Sequence, residues 1–122
     1  MTASRALVVK VTCGTESLER LNQAFTVAAT AVASGVGVSL WLTGDATWMA
    51  VPGRAEAVEL PHAADLADLR DAVLGAGTVT VCGQCAARRG LTEADLVDGV
   101  VIRGAAAFVE EVTAEGAQAL VY

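Results

Sequence analysis

Short β-branched runs alternate with segments of helical spacing along this chain, and that order constrains its layering more than any other feature. Arg5–Val11 reads RALVVKV with no turn residue inside, as a strand buried on both faces does. Gly37–Leu42, Thr78–Cys82, Val100–Arg103 and Gln118–Tyr122 supply four more such runs. Between the first two, Leu18, Leu21, Phe25, Ala28, Ala29 and Val32 keep helical spacing. Thr15 is the expected N-cap of that helix, Glu16 and Glu19 suit its first turn, and Gly35 ends it. Asp65 is placed to cap a helix reaching about Leu74, with Leu66, Leu69 and Val73 on one face. Ala105–Thr113 reads as a helix stopped by Gly116, and shorter helical turns are expected over Ala46–Val51, over Gly83–Gly90 and after Thr92. Pro52–Ala64 is irregular, but its composition does not shift as a domain boundary would, and no internal repeat is visible. Residues 1–122 therefore predict one α/β domain of three layers, α/β/α, around a five-stranded parallel sheet.

The composition narrows the function classes. Hydrophobic residues make up 54% of the 122 and charged residues 18%, which excludes a disordered chain. A net charge of −6 disfavours binding to nucleic-acid phosphates. No apolar run approaches the roughly 18 residues of a membrane span, and MTASR has no signal-peptide character, so a cytoplasmic protein with no membrane association is expected. An odd count of three cysteines then favours reduced thiols over a disulfide framework. The core is small and aliphatic, with 25 Ala, 18 Val and only 4% aromatic residues. Each buried Ala contributes little apolar area, so burial against further copies of the chain is expected to add stability.

In an open parallel sheet, reactive groups collect beyond the carboxyl ends of the strands. Cys13 follows the first strand, Cys82 ends the third, and Cys85 comes three residues later in Cys82-Gly83-Gln84-Cys85-Ala86-Ala87-Arg88-Arg89-Gly90. A thiol is a nucleophile only as its thiolate, which a helix N-terminus or a nearby cation favours. If Gly83 opens a helix, Cys82 stands at its start, with Arg88 and Arg89 a turn or more away. Several readings are open. Any of these cysteines can be packing alone. The Cys82/Cys85 pair can be a redox dithiol, although a thioredoxin-like motif follows the first strand of its fold and not the third. It can also be half of a zinc site with Cys13 and His62, whose scattered spacing argues against this. Finally, one cysteine alone can be reactive.

The strand-end Cys82, followed about six residues later by Arg88-Arg89-Gly90-Leu91, resembles the DsrE/DsrF/TusD family of small sulfur-relay proteins. Further likeness lies in the opening strand, loop and long helix, in Leu42-Thr43-Gly44-Asp45-Ala46, and in Leu96-Val97-Asp98-Gly99-Val100 with Gly104. The resemblance implies a five-stranded parallel sheet of order 4-3-2-1-5 in homo- or hetero-oligomers such as trimers and hexamers. It also implies a cysteine, Cys82 here, that carries persulfide sulfur from a donor protein to an acceptor. Cys13 and Cys85 are not required by the family pattern. No cofactor and no metal are implied.

On this reading Cys82 is the catalytic residue and the chain, if an enzyme, is a sulfurtransferase. The Gly83 and Gln84 amides are expected to stabilise the thiolate, with Cys85 close enough to modulate or resolve it. Cys13, Arg88 and Asp45 complete the surroundings, although capping the next short helix is the favoured role for Asp45. The alternative is a non-catalytic oligomeric binding domain with structural cysteines. His62 reads as an exposed loop residue, and the Thr12–Thr15 loop as a weak anion-site candidate without a nucleotide-binding glycine pattern. Trp41 and Trp48 are candidates for a subunit interface. With the implied strand order, Cys13 and Cys82 should lie about 9–10 Å apart, too far to be bridged. A homo-oligomer, trimeric or hexameric, is expected, with the Cys82 loop near its interface.

Overall fold

The computed structural model describes residues 5–122. Strands β1 (Ala6–Val11), β2 (Gly37–Leu42), β3 (Thr78–Cys82), β4 (Val101–Arg103) and β5 (Ala117–Val121) form one parallel sheet in the order β4-β3-β2-β1-β5. Helices α1 (Leu18–Ala33), α2 (Leu66–Ala76), α3 (Gly83–Arg88) and α4 (Ala105–Val112) lie between them. Succession from β1 to β4 moves one way across the sheet, and the step to β5 returns to the far edge. Right-handed crossovers then put α1 and α2 on one face and α4 on the other.

The two faces differ in chemistry because side chains alternate along each strand. Val9, Val11, Leu40, Leu42, Val79 and Val81 are fully buried, and they form the core with Leu21, Ala24, Phe25 and Ala28 of α1 and Leu66 and Val73 of α2. Lys10, Trp41, Thr80 and Cys82 alternate with these and face the α4 side. There Trp41 meets Phe108 edge-on, with ring centroids 5.4 Å apart, and its Nε1 donates to Glu111 Oε1 at 3.1 Å. Arg70 of α2 is buried and donates to the Met49 carbonyl at 3.0 Å while pairing with Glu56 and Asp71, which pins the 44–57 segment against α2.

Several local expectations are corrected. Thr15 does not cap α1: Ser17 holds that position, and a 3₁₀ turn over Thr15–Ser17 precedes the helix. No side chain caps α1; ahead of it, Glu16 Oε1 accepts from the Gly14 amide at 2.6 Å. That carboxylate already occupies the loop considered for an external anion. Asp65 stands at the N-cap of α2 without a side-chain cap bond, and that helix runs two residues past Leu74, through Gly75. β4 starts at Val101, and β5 covers Ala117–Val121. Thr92 does cap its short helix, in a reciprocal pairing with Asp95.

Candidate functional site

The loops after β1, β2 and β3 converge at the carboxyl edge of the sheet. Their closeness is set by two glycines. A Cβ on Gly14 would lie 2.6 Å from the Asp45 carbonyl oxygen, and one on Gly44 would lie 2.7 Å from that of Thr12. Gly44 also has φ +54, a left-handed conformation that side-chain-bearing residues adopt at a cost. This conformation points the Gly44 amide at the third loop, where it donates to Cys85 Sγ at 3.2 Å.

Cys82 is the last residue of β3 and the N-cap of α3. The N-cap position turns its side chain back toward the amides two and three residues on. Its sulfur makes no side-chain cap hydrogen bond there, yet several groups bear on it. Burial, the largest effect, pushes its pKa up. The Cys85 amide, the Cys85 thiol, the Gln84 amide and the Lys10 charge pull it down, and together they prevail, leaving Cys82 below an ordinary thiol. With only six residues, α3 has little macrodipole, so these individual groups matter more than the helix as a whole. Cys82 is partly exposed, whereas Cys85 is buried behind it.

The remaining candidates fall in distinct places. The amides that favour the Cys82 thiolate are those of Cys85 and Gln84, where Gly83 and Gln84 were expected, because an N-cap side chain faces the second and third amides. A Cβ on Gly83 would meet the Arg103 carbonyl oxygen of β4 at 3.6 Å, an ordinary contact. Arg88 is exposed, and its neighbour Arg89 makes the contacts: Nη2 donates to Asp45 Oδ1 at 2.6 Å and Nη1 to the Cys85 carbonyl at 3.1 Å. Asp45 therefore ties the second loop to the cysteine loop and does not cap the helix after Thr43. Cys13 is buried in the core, its Sγ 3.9 Å from the Ser17 carbonyl. Burial first, then Glu16, pushes its pKa up, against the opposing charge of Arg20 and a backbone hydrogen bond. All three cysteines are free thiols. His62 is exposed in a turn at φ 62, and among the described residues no three His, Cys, Asp or Glu gather as a metal site.

Lys10 and Arg103 were not singled out by the sequence reading. Lys10 lies near the middle of the sheet, its Nζ 5.0 Å from the Phe108 ring centroid. Arg103 is the cross-strand partner of Cys82 on β4 and so shares its face. Only the strand order brings either cation toward a thiol far from it in sequence. Trp41 is committed to α4, whereas Trp48 lies under the Arg54 guanidinium at 4.5 Å and lines a 360 Å³ cleft with Thr15, Leu18 and Asp45.

A five-stranded parallel sheet in this order, with a partly exposed cysteine at its carboxyl edge, defines a cysteine-bearing α/β protein of three layers. The DsrE/DsrF-like family model matches residues 6–121, and the chain belongs to that family. Among solved structures it is similar to the YchN protein from E. coli, at 18% identity and TM-score 0.77, over 98% of this chain and 100% of that one. It is also similar to MTH1491 from Methanobacterium thermoautotrophicum, a protein of unknown function, at 12% identity and TM-score 0.72, again over 98% and 100% of the two chains. These likenesses are of fold. A comparison with curated proteins gave no match. Among the described residues no helix is long and apolar enough to cross a membrane.

Proposed function

We propose that the protein carries sulfur as a persulfide on Cys82 and passes it to a partner. The observation that carries this reading is the partly exposed strand-end thiol whose pKa lies below the ordinary value, set among donors that favour its thiolate. The Cys82 thiolate attacks the terminal sulfur of a donor persulfide. The donor's S–S bond breaks, the donor leaves as its thiolate, and Cys82 holds the sulfur as S–SH. No net oxidation occurs, so no redox cofactor is needed. A second thiolate, on the acceptor, repeats the same displacement. Membership in the DsrE/DsrF-like family supports the reading.

Incubation with a cysteine desulfurase and cysteine, followed by intact-mass measurement, tests it. Wild-type protein is expected to gain the mass of one sulfur atom, and Cys82→Ser to gain none. Sulfur uptake by Cys82→Ser at the wild-type rate would overturn the assignment.

A further inference from the structure

We infer that Cys85 discharges the sulfur held on Cys82, forming a Cys82–Cys85 disulfide and releasing hydrogen sulfide, an inference that rests on the persulfide reading. Three observations place Cys85 for this. It is three residues beyond the N-cap position, which by helical geometry separates the two Cα atoms by about 5 Å. That lies inside the roughly 4.4–6.8 Å a disulfide spans. Its Sγ is fixed by the Gly44 amide at 3.2 Å and its carbonyl by Arg89 at 3.1 Å, so the thiol is held in one place beside Cys82. And it is buried at 8% exposure, out of reach of a donor or acceptor protein, so Cys82 is its accessible reaction partner.

The step balances. Cys85 Sγ attacks the inner sulfur of the Cys82 persulfide, the S–S bond of the persulfide breaks, and the terminal sulfur leaves as hydrosulfide. The Cys85 proton goes with it, giving one molecule of hydrogen sulfide. The Cys85 sulfur is oxidised by one electron equivalent and the departing sulfur is reduced by one. Return to the dithiol needs two electrons from an external thiol reductant. With that supply the protein releases sulfide when no acceptor is present; without it, the disulfide withdraws Cys82 from the relay.

Untagged protein loaded with inorganic polysulfide, freed of excess and held without reductant provides the test. Sulfide is trapped with monobromobimane, and disulfides are located by alkylation and peptide mapping. Wild-type protein is expected to release one sulfide for each Cys82–Cys85 disulfide formed. Cys85→Ser and Cys85→Ala are expected to keep the added sulfur on Cys82 and release sulfide at least about tenfold more slowly. Equal release rates in wild type and both variants would overturn the inference, as would loaded wild-type protein that forms no such disulfide, a result independent of how the variants fold. In both cases sulfur on Cys82 leaves the carrier reading standing. No sulfur on Cys82 in either Cys85 variant, with neither sulfide nor disulfide from loaded wild-type protein, removes both.

Discussion

At Cys82 two opposing effects meet, and their balance decides whether the residue is a nucleophile. Burial favours the neutral thiol, whereas the Cys85 and Gln84 amides, the Cys85 thiol and the Lys10 charge favour the thiolate. Lys10→Gln removes the one full charge among these groups, so the alkylation midpoint of Cys82 is expected to move up, and more so at low than at high ionic strength because salt screens what is removed. An unchanged midpoint would show that Lys10 is only a packing residue against Phe108. Gly44 offers a second residue-scale test. An alanine there takes a left-handed conformation costing roughly 1–2 kcal/mol, and its Cβ meets the Thr12 carbonyl. Denaturant unfolding of Gly44→Ala should show at least that loss, and wild-type stability would contradict it. The place of Cys82 at the end of β3 was legible because a β-branched run ends on it. Arg89 was not distinguishable from Arg88, since which of two adjacent arginines turns back toward Asp45 depends on the ending of α3.

Elements are joined near the site by two ion-paired groups of different worth. Asp45 and Arg89 are 2.6 Å apart, but the Asp45 side chain is 54% exposed, so the pair holds loop geometry more than it adds stability. Asp45→Asn is expected to leave thermal stability almost unchanged while slowing sulfur loading of Cys82; a large loss of stability with normal loading would reverse that assignment. Arg70 is the stronger joint. Arg70→Met keeps much of the volume but orphans the Met49 carbonyl, at an expected cost of about 1–3 kcal/mol in denaturant unfolding. Glu56 adds a sign to this. Its pKa is lowered, first by its hydrogen bond with Arg70, so its contribution is present above the unfolded carboxylate's pKa and is lost as pH falls through the lower folded value. The wild-type advantage over Arg70→Met should therefore shrink in acid, and a constant advantage across that range would exclude the pair as its source. The long elements were legible from periodicity: Leu21, Phe25 and Ala28 of α1 are buried as their spacing predicts. The cap of α1 was not, because a 3₁₀ turn over Thr15–Ser17 moves the start of the helix to Leu18 and puts Ser17 in the cap position.

Across the whole molecule, the sheet is thick with side chains on the α1 and α2 side and thinly covered on the other, where the eight-residue α4 spans it. Val109, Leu120 and Val121 are exposed on α4 and the β5 edge at 54%, 41% and 64%. For a small-residue core, burying such surface against further copies is the proposed source of added stability. Light scattering at micromolar concentration should then give a mass several-fold above 12.4 kDa, and a monomer would remove that proposal. The parallel sheet was legible from alternating runs, and its order came through resemblance. The approach of Lys10 and Arg103 toward the cysteine loop was hidden, because it exists only once strands remote in sequence lie side by side. In the proposed function, this folded setting makes Cys82 an activated thiol. Measuring iodoacetamide alkylation of each cysteine in the native protein across pH, resolved by peptide, tests it most directly. Cys82 should react with a midpoint below that of an ordinary thiol, while Cys13, buried and shifted the other way, stays slow until the protein unfolds. A Cys82 midpoint at or above the ordinary value, or a Cys82 as protected as Cys13, would contradict the account.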